Sequence, residues 1–339
     1  MGESSLCPWT WRTLQRTARH GRRAICSAFW PFSPWTFSPF GLAAVRPTQA
    51  RQIFVACALA PLLSAPLPAQ APPDTDVFLL SVQWMGDRAL VGEPENVTAR
   101  EGYDNQPRFR VDGSILYTRL EGEQADVYRI PPDGGEHENL TRTAESEYSP
   151  TPRPDGSFTV VRVEADGKQR LWRFAPDGAA PELLFPALEP VGYHAWADEG
   201  RAVVAFVLGE PHRLVIARPA ADEEPRTVAT DIGRALVPLD ERRVAFVQKG
   251  ETWTIDVVDA GTGEITTLTK TRPEREDFAA DPRGGLWMGD GSRLFRLPPG
   301  GNEWREVADL SAAGIADISR LDVSTDGAKL VLVARPKGG

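Results

Sequence analysis

The chain has 339 residues, of which 41% are hydrophobic and 25% charged, the ordinary composition of a globular protein with a sizeable core. Residues 1–71 hold seven Arg, no Lys and one acidic residue, so the rest of the chain carries 31 basic and 46 acidic residues and a net charge of −15. A domain this acidic has no electrostatic basis for binding nucleic-acid phosphates, and anionic membrane surfaces repel it. All three cysteines lie within the first 57 residues, which excludes disulfides, zinc–thiolate sites and a cysteine nucleophile beyond them.

The N-terminal part of the chain has the pattern of an export signal. Residues 52–65 form an uncharged, mostly apolar run, which two arginines precede and a small-residue site at 69–71 follows. This order is typical of a secretory signal, and the run falls short of the ~20 residues of a transmembrane helix. We predict a signal peptide over 45–71 after a mispredicted or disordered extension at 1–44; an uncleaved anchor is the alternative. The mature protein is then periplasmic or secreted and does not insert into the membrane.

A turn that begins with aspartate recurs along the rest of the chain at intervals of 41 to 45 residues. The leading residues are Asp112, Asp155, Asp198, Asp240, Asp281 and Asp326. Each turn precedes a run of β-branched and aromatic residues, which is typical of a strand, and most units continue with a second such run and a Gly- or Asp-rich hairpin turn. A period of ~40–45 residues is that of a four-stranded propeller blade. The pattern predicts six blades over residues 75–336.

The sixth unit is incomplete at the C-terminal end of the chain, and its missing strands are found at the other end. The strand patterns at 77–82 and 95–98 precede the first repeat. Pairing them with the C-terminal strands would close the ring and leave only short, protected edges. We therefore predict an all-β fold, a six-bladed β-propeller closed by N-terminal strands that complete the C-terminal blade. An open all-β solenoid is the competing architecture, and half-blades at opposite ends argue against it.

Two segments carry a family resemblance. Gln106–Gly113 and Ser149–Gly156 resemble the WD40-like (PD40) β-propeller repeat of TolB-type proteins, and the Leu-Thr pairs at 140–141 and 268–269 resemble the end of such a blade. The resemblance covers about residues 75–336 and weakens in the later units, where Asp-Gly becomes Asp-Glu or Asp-Pro. The resemblance implies the propeller fold, an envelope location and a protein-binding role. Fold analogy by itself is a weak guide to function.

In a propeller, the loops that lead into the innermost strands surround one mouth of the central channel. Aligning the repeats puts an acid in four of these loops, and a histidine and an arginine in the other two. The candidate ligand-binding residues at this mouth are Asp104, Glu147, Tyr193, His194, Arg234, Glu276, Asp277 and Asp317. Converging carboxylates could hold Ca²⁺ or a basic peptide, and they repel one another without a cation. The alternative is that they are ordinary turn and strand-edge residues, satisfied by backbone groups and water. The candidate Ca²⁺ ligands are Asp104, Glu147, Glu276 and Asp317.

Other recurring residues have structural explanations. The turn aspartates are expected to accept hydrogen bonds from backbone N–H groups in the turn. Four tryptophans, Trp172, Trp196, Trp253 and Trp287, lie in strand patterns and are expected to pack between blades. The two Asn-x-Thr sequences at 96–98 and 139–141 match the glycosylation pattern, but we interpret them as blade ends.

Enzyme motifs are absent from the sequence. It contains no G-x-S-x-G elbow, no H-E-x-x-H and no Gly-rich phosphate loop with lysine. We therefore predict a non-enzymatic, monomeric binding module without a cofactor, which takes a protein or peptide partner of the cell envelope at the channel mouth. The alternative is a Ca²⁺-dependent propeller hydrolase of the lactonase or esterase kind, with His194 as the base. A third possibility is a propeller that gates a serine peptidase on a neighbouring chain.

Overall fold

The computed structural model describes residues 72–218 and 224–336. The chain divides into two units, residues 1–71 and 72–339. The predicted extension and signal peptide belong to the first unit and lie outside the described residues. The second unit contains every strand named below, and its first and last strand residues are Asp76 and Pro336.

Strands and two 3₁₀ helices make up the regular structure of the described residues. The strands are β1 (Asp76–Met85), β2 (Arg88–Val91), β3 (Glu95–Asn96), β4 (Asp104–Phe109), β5 (Ile115–Glu121), β6 (Gln124–Ile130), β7 (Glu138–Asn139), β8 (Ser146–Pro152), β9 (Phe158–Val163), β10 (Gln169–Phe174), β11 (Glu182–Leu184), β12 (Val191–Ala197), β13 (Ala202–Val207), β14 (Arg213–Ala217), β15 (Arg226–Thr230), β16 (Ile232–Pro238), β17 (Arg243–Gln248), β18 (Thr254–Asp259), β19 (Ile265–Lys270), β20 (Phe278–Ala280), β21 (Leu286–Asp290), β22 (Arg293–Leu297), β23 (Arg305–Asp309), β24 (Ile315–Val323) and β25 (Lys329–Pro336). The 3₁₀ helices are Asp198–Gly200 and Ser311–Ala313.

These strands form six antiparallel sheets. Blades 1 to 5 each use four consecutive strands, β4–β7, β8–β11, β12–β15, β16–β19 and β20–β23. The first strand of each blade contacts the first strand of the next, and β24 of blade 6 contacts β4 of blade 1. The inner strands therefore form a closed ring, and the predicted six-bladed propeller is confirmed.

Blade 6 joins the two ends of the second unit. It consists of β24 and β25 from the C-terminal side and of β1, with β2 and β3 both paired to β1, from the N-terminal side. The β1–β25 register runs from Asp76 opposite Ala334 to Ser81 opposite Lys329. The indole N–H of Trp84 adds a hydrogen bond of 2.8 Å to the carbonyl of Gly327. The predicted closure by N-terminal strands is thus confirmed.

The core lies between neighbouring blades, because each blade is covered on both faces. All six residues of β13 are buried, as expected for a strand packed on both sides. Between blades 1 and 2, Leu116 and Val127 pack against Phe158 and Phe174. The rings of Phe158 and Phe174 are stacked with centroids 5.4 Å apart. Shape matching between adjacent sheets therefore fixes the ring and the position of its inner strands.

The repeated turns follow the predicted chemistry at five of the six positions. The carboxylate of Asp112 accepts the backbone N–H of Ser114 at 2.9 Å, and Asp155 accepts that of Ser157 at 3.0 Å. The following glycine has a φ of 82° in both turns, a conformation that favours glycine. Asp240, Asp281 and Asp326 also accept backbone N–H groups two residues on. Asp198 differs, since it begins a 3₁₀ helix with a φ of 53°.

The tryptophan and Asn-x-Thr predictions are both confirmed. All four tryptophans pack against core clusters that lie between neighbouring blades. Trp287 is fully buried, and the other three are half-buried, each with an arginine or lysine over its ring. The interpretation of the Asn-x-Thr sequences as blade ends is confirmed by their contacts. Asn139 and Thr141 donate hydrogen bonds to Asp126, and Asn96 and Thr98 donate to Asp76 in the same way. Each pair ties an outer strand to its neighbour.

Candidate functional site

The inner strands of all six blades meet around one cavity. Its volume is about 50 Å³, which is room for a few water molecules. Its main polar side chains are Gln106, Arg108, Ser149, Thr151, Tyr193, His194, Arg234, Asp277 and Arg320, and every blade contributes at least one. Three of these side chains are arginines and one is an acid. The lining is therefore basic, although residues 72–339 carry a net charge of −15.

Irregular backbone on the inner strands places several of these side chains. The register of β4, β8 and β24 shifts at Gln106, Ser149 and Arg320 respectively. These residues have φ values of 59°, 55° and 42°, and the left-handed conformation costs a non-glycine residue roughly 1–2 kcal/mol. A bulge re-aims the side chains next to it. Strained backbone held in place by surrounding structure is a feature that clusters at functional sites.

A hydrogen-bonded amide links blades 1 and 2 at the cavity. The Oε1 atom of Gln106 accepts the Thr118 hydroxyl at 2.9 Å and the backbone N–H of Ser149 at 2.8 Å. Gln106 and Thr118 are buried, with 9% and 0% of their surface exposed. Because backbone N–H groups only donate, this contact also fixes which end of the amide is oxygen.

An aspartate shared by two arginines forms the opposite side of the cavity. Arg234 donates to both carboxylate oxygens of Asp277, at 3.1 and 2.6 Å, and Arg320 donates to the same carboxylate. Arg320 also donates to the Tyr193 hydroxyl at 2.7 Å. Burial raises the pKa of Asp277, but the two guanidiniums outweigh it and hold that pKa well below its usual range. The group is therefore a fixed ionic network that spans blades 3 to 6.

His194 is the only histidine that lines the cavity, and it is buried and neutral. Its ring is 3% exposed, and Nε2 lies 2.7 Å from the hydroxyl of Thr159, which also accepts the indole N–H of Trp196 at 2.9 Å. Burial, helped by the nearby charges of Arg108 and Arg153, lowers the pKa of His194 to about 3. Nδ1 has no hydrogen-bond partner among the described residues.

The structure places four of the eight predicted residues in the cavity and a fifth beside it. Tyr193, His194, Arg234 and Asp277 line the cavity. Glu276 lies next to them, where its carboxylate pairs with Arg234 at 3.2 Å and with Lys249 at 2.8 Å. Asp104, Glu147 and Asp317 are not part of the lining, so the predicted acidic mouth is not what these residues form.

Asp104 and Glu147 are each paired with a nearby arginine. Asp104 stands opposite Arg119 in the β4–β5 register and pairs with Arg100 at 3.0 Å. Glu147 stands opposite Arg162 and pairs with it at 2.9 Å. Both carboxylates are fully buried. Burial raises the pKa of Asp104 to about 6 and that of Glu147 to about 7, despite the arginines.

Asp317 is the outermost of the four predicted Ca²⁺ ligands. Its side chain is 61% exposed and lies 3.6 Å from Arg335. Asp104, Glu147 and Glu276 carry arginine partners of their own. Within residues 72–218 and 224–336, no group of three or more His, Cys, Asp or Glu is arranged to hold a metal ion. The four carboxylates are therefore not gathered into the Ca²⁺ site for which they were candidates, and each has a basic partner of its own.

Arg108 and Arg320 are cavity residues that the sequence reasoning missed. Arg320 stands 43 residues after Asp277, which stands 43 residues after Arg234. Asp277 and Arg320 stand one residue before the equivalent strand positions Phe278 and Leu321, whereas Arg234 stands two residues before Leu236. The repeat spacing alone therefore does not align the three. Arg108 lies 3.7 Å from Asp322 of blade 6. The equivalent residue of blade 2 is Thr151, so the repeats do not mark Arg108 as a cavity residue.

The described part of the chain contains no helix long and apolar enough to cross a membrane. No protein-family profile and no curated protein sequence matches the chain. Solved structures do match it. A structure described as TolB from Agrobacterium tumefaciens has a TM-score of 0.58 and 14% identity, over 77% of this chain and 98% of its own. TolB from Acinetobacter baumannii has a TM-score of 0.50 and 15% identity, over 79% of this chain and 66% of its own.

An enzyme structure is among the similar ones. A gluconolactonase from Xanthomonas campestris has a TM-score of 0.54 and 13% identity, over 79% of this chain and 99% of its own. At such identities the likeness concerns the architecture and not the chemistry. The chain thus has the six-bladed β-propeller fold of the TolB structures.

Proposed function

We propose that this protein is a non-enzymatic, exported binding module, which holds a protein or peptide partner of the cell envelope at the mouth of its central channel. The observation that carries the proposal is the cavity to which all six blades contribute side chains. Its side chains are fixed before any ligand arrives, because Asp277 holds Arg234 and Arg320 in place. Preorganised polar groups in a concave site are the usual basis of specific recognition. We further propose that it acts as a monomer in the periplasm or outside the cell.

The hydrolase alternative is less well supported by the cavity. A general base works best with a pKa near the operating pH, whereas burial lowers the pKa of His194 to about 3. The carboxylate that lines the cavity, Asp277, is paired with Arg234 and Arg320. The likeness to a gluconolactonase structure concerns the fold. Binding is therefore the function that these side chains favour.

Photo-crosslinking tests the proposal directly. A photoreactive phenylalanine analogue replaces Tyr193 at the cavity, and in a matched control it replaces Leu268, which is 49% exposed on the outer strand β19. We expect a discrete adduct with an envelope protein from the Tyr193 position and none from the Leu268 position. Equal adducts from both positions, or none from Tyr193 together with lactone or ester hydrolysis by the purified protein, would overturn the proposal.

A further inference from the structure

The polar groups that the cavity offers a ligand are hydrogen-bond donors. The oxygen of Gln106 is occupied by Thr118 and Ser149, so this amide offers a ligand its NH₂ group. Arg108 forms an ion pair with Asp322 through Nη1 at 3.7 Å, and its guanidinium has further N–H donors beside that pair. A ligand that binds these groups has to be an acceptor.

His194 lies beside these donors, and its ring is 3% exposed. The Thr159 hydroxyl accepts the indole N–H of Trp196 at 2.9 Å and donates to the carbonyl of Thr151 at 3.4 Å. It also lies 2.7 Å from Nε2 of His194, a contact that either tautomer of the ring allows. Nδ1 has no partner in the described structure and is closed to the cavity, so His194 forms part of the cavity wall and not one of its donors.

The local charge has the opposite sign to that of the domain. The ionic side chains that line the cavity or connect to it through ion pairs are Arg108, Arg234, Lys249, Glu276, Asp277, Arg320 and Asp322. Four are cations and three are anions, a net charge of +1, against −15 for residues 72–339. The acidic surface of the domain repels anions, whereas the basic cavity attracts them. The cavity therefore favours a ligand whose negative charge is confined to one group.

We infer that the cavity binds a carboxylate of an acidic peptide segment, held by the donors of Arg108 and Gln106. The inference rests on the proposed function and names the chemistry of its ligand. Charge-assisted bonds between arginine and carboxylate are among the strongest in proteins. The cavity of about 50 Å³ admits one carboxylate end and excludes a larger molecule in this conformation. A basic peptide, which the sequence suggested, would meet these donors with donors of its own.

A peptide array tests the inference. The array presents short peptides with varied flanking residues and a fixed central Asp, Asn or Lys, acetylated and amidated so that the flanks add no terminal charge, and free succinate serves as a soluble carboxylate. The proteins are the wild type, Arg108→Gln, and the matched control Arg173→Gln, whose arginine pairs with Glu182 on the outer part of blade 2. Thermal melts confirm that all three are folded. Since Asn is nearly isosteric with Asp, the Asp–Asn pair tests the charge without altering the protein.

We expect Asp peptides to bind the wild type and the Arg173→Gln control roughly tenfold or more tightly than they bind Arg108→Gln, and Asn and Lys peptides to bind weakly. If Asn or Lys peptides bind as well as Asp peptides and Arg108→Gln changes nothing, the anion assignment is wrong while the proposed function stands. If succinate binds in an Arg108-dependent way but no peptide does, the cavity is a carboxylate site whose ligand is a small molecule. That result overturns the assignment of a peptide ligand. Failure of every peptide and of succinate overturns both.

Discussion

Replacing Asp277 with asparagine tests the ionic network of the cavity. The substitution keeps the shape of the side chain but leaves Arg234 and Arg320, whose side chains are 24% and 17% exposed, without their shared carboxylate. Breaking a buried ion pair by removing one partner costs about 3–5 kcal/mol. Arg234 retains Glu276 at 3.2 Å, so we expect the lower end, a loss of about 3 kcal/mol in the free energy of unfolding. At roughly 2–4 °C per kcal/mol, the melting temperature falls by about 6–12 °C.

Urea denaturation is the appropriate assay, because an unchanged slope of the unfolding free energy on urea concentration shows that stability alone has changed. The matched control is Glu138→Gln, which breaks an exposed pair with Arg129 and should cost about 1 kcal/mol or less. Adding Arg320→Gln to Asp277→Asn removes one of the stranded charges and should restore part of the loss, a coupling that a double-mutant cycle measures. A change of less than about 0.5 kcal/mol for Asp277→Asn would refute the reasoning.

Three further predictions concern pH, the inter-blade amide and ring closure. Burial raises the pKa of Glu147 to about 7 from 4.5, so the folded state holds an extra proton between these pH values. The free energy of unfolding therefore falls by up to about 3 kcal/mol as the pH rises through that window. The difference in stability between the wild type and Glu147→Gln, measured by thermal melts across this pH range, should show the fall, and a constant difference would contradict it. Gln106→Ala removes two buried hydrogen bonds and should lower the free energy of unfolding, measured by urea denaturation, by about 2–3 kcal/mol. A loss under about 1 kcal/mol would show that this amide does not stabilise the contact between blades 1 and 2. Leu80→Ala, at a 1% exposed position of β1, should lower the free energy of unfolding by about 2–5 kcal/mol. Leu90→Ala, at a 39% exposed position of β2, should lower it far less. Similar losses for the two would argue that packing of β1 does not stabilise the closed ring.

The fold was predictable because its signals are local and repeated. An aspartate that accepts the N–H two residues on, as Asp112 and Asp155 do, marks a turn wherever it stands, and a run such as Val203 to Phe206 forms a strand in any blade. The closure followed from the same repeat, since a ring of six equivalent units leaves a partial blade at each end. No long-range contact had to be known.

The cavity was less predictable because its side chains depend on bulges and cross-strand partners. Repeat alignment put Asp104 and Glu147 in the right loops, but Asp104 pairs with Arg100 and Glu147 with Arg162, and neither carboxylate lines the cavity. Arg320 reaches the cavity only because β24 shifts its register there. A one-residue shift exchanges the two faces of a strand, and sequence spacing of about 43 residues does not reveal where such a shift falls.

The central claim is that a basic cavity at the centre of this acidic propeller holds a carboxylate. A crystal structure of the protein with the best-binding Asp peptide tests it most directly. The predicted result is an Asp carboxylate in the cavity, within hydrogen-bond distance of the NH₂ group of Gln106 and the guanidinium of Arg108. A peptide bound to an outer blade surface, with only water in the cavity, would contradict the claim.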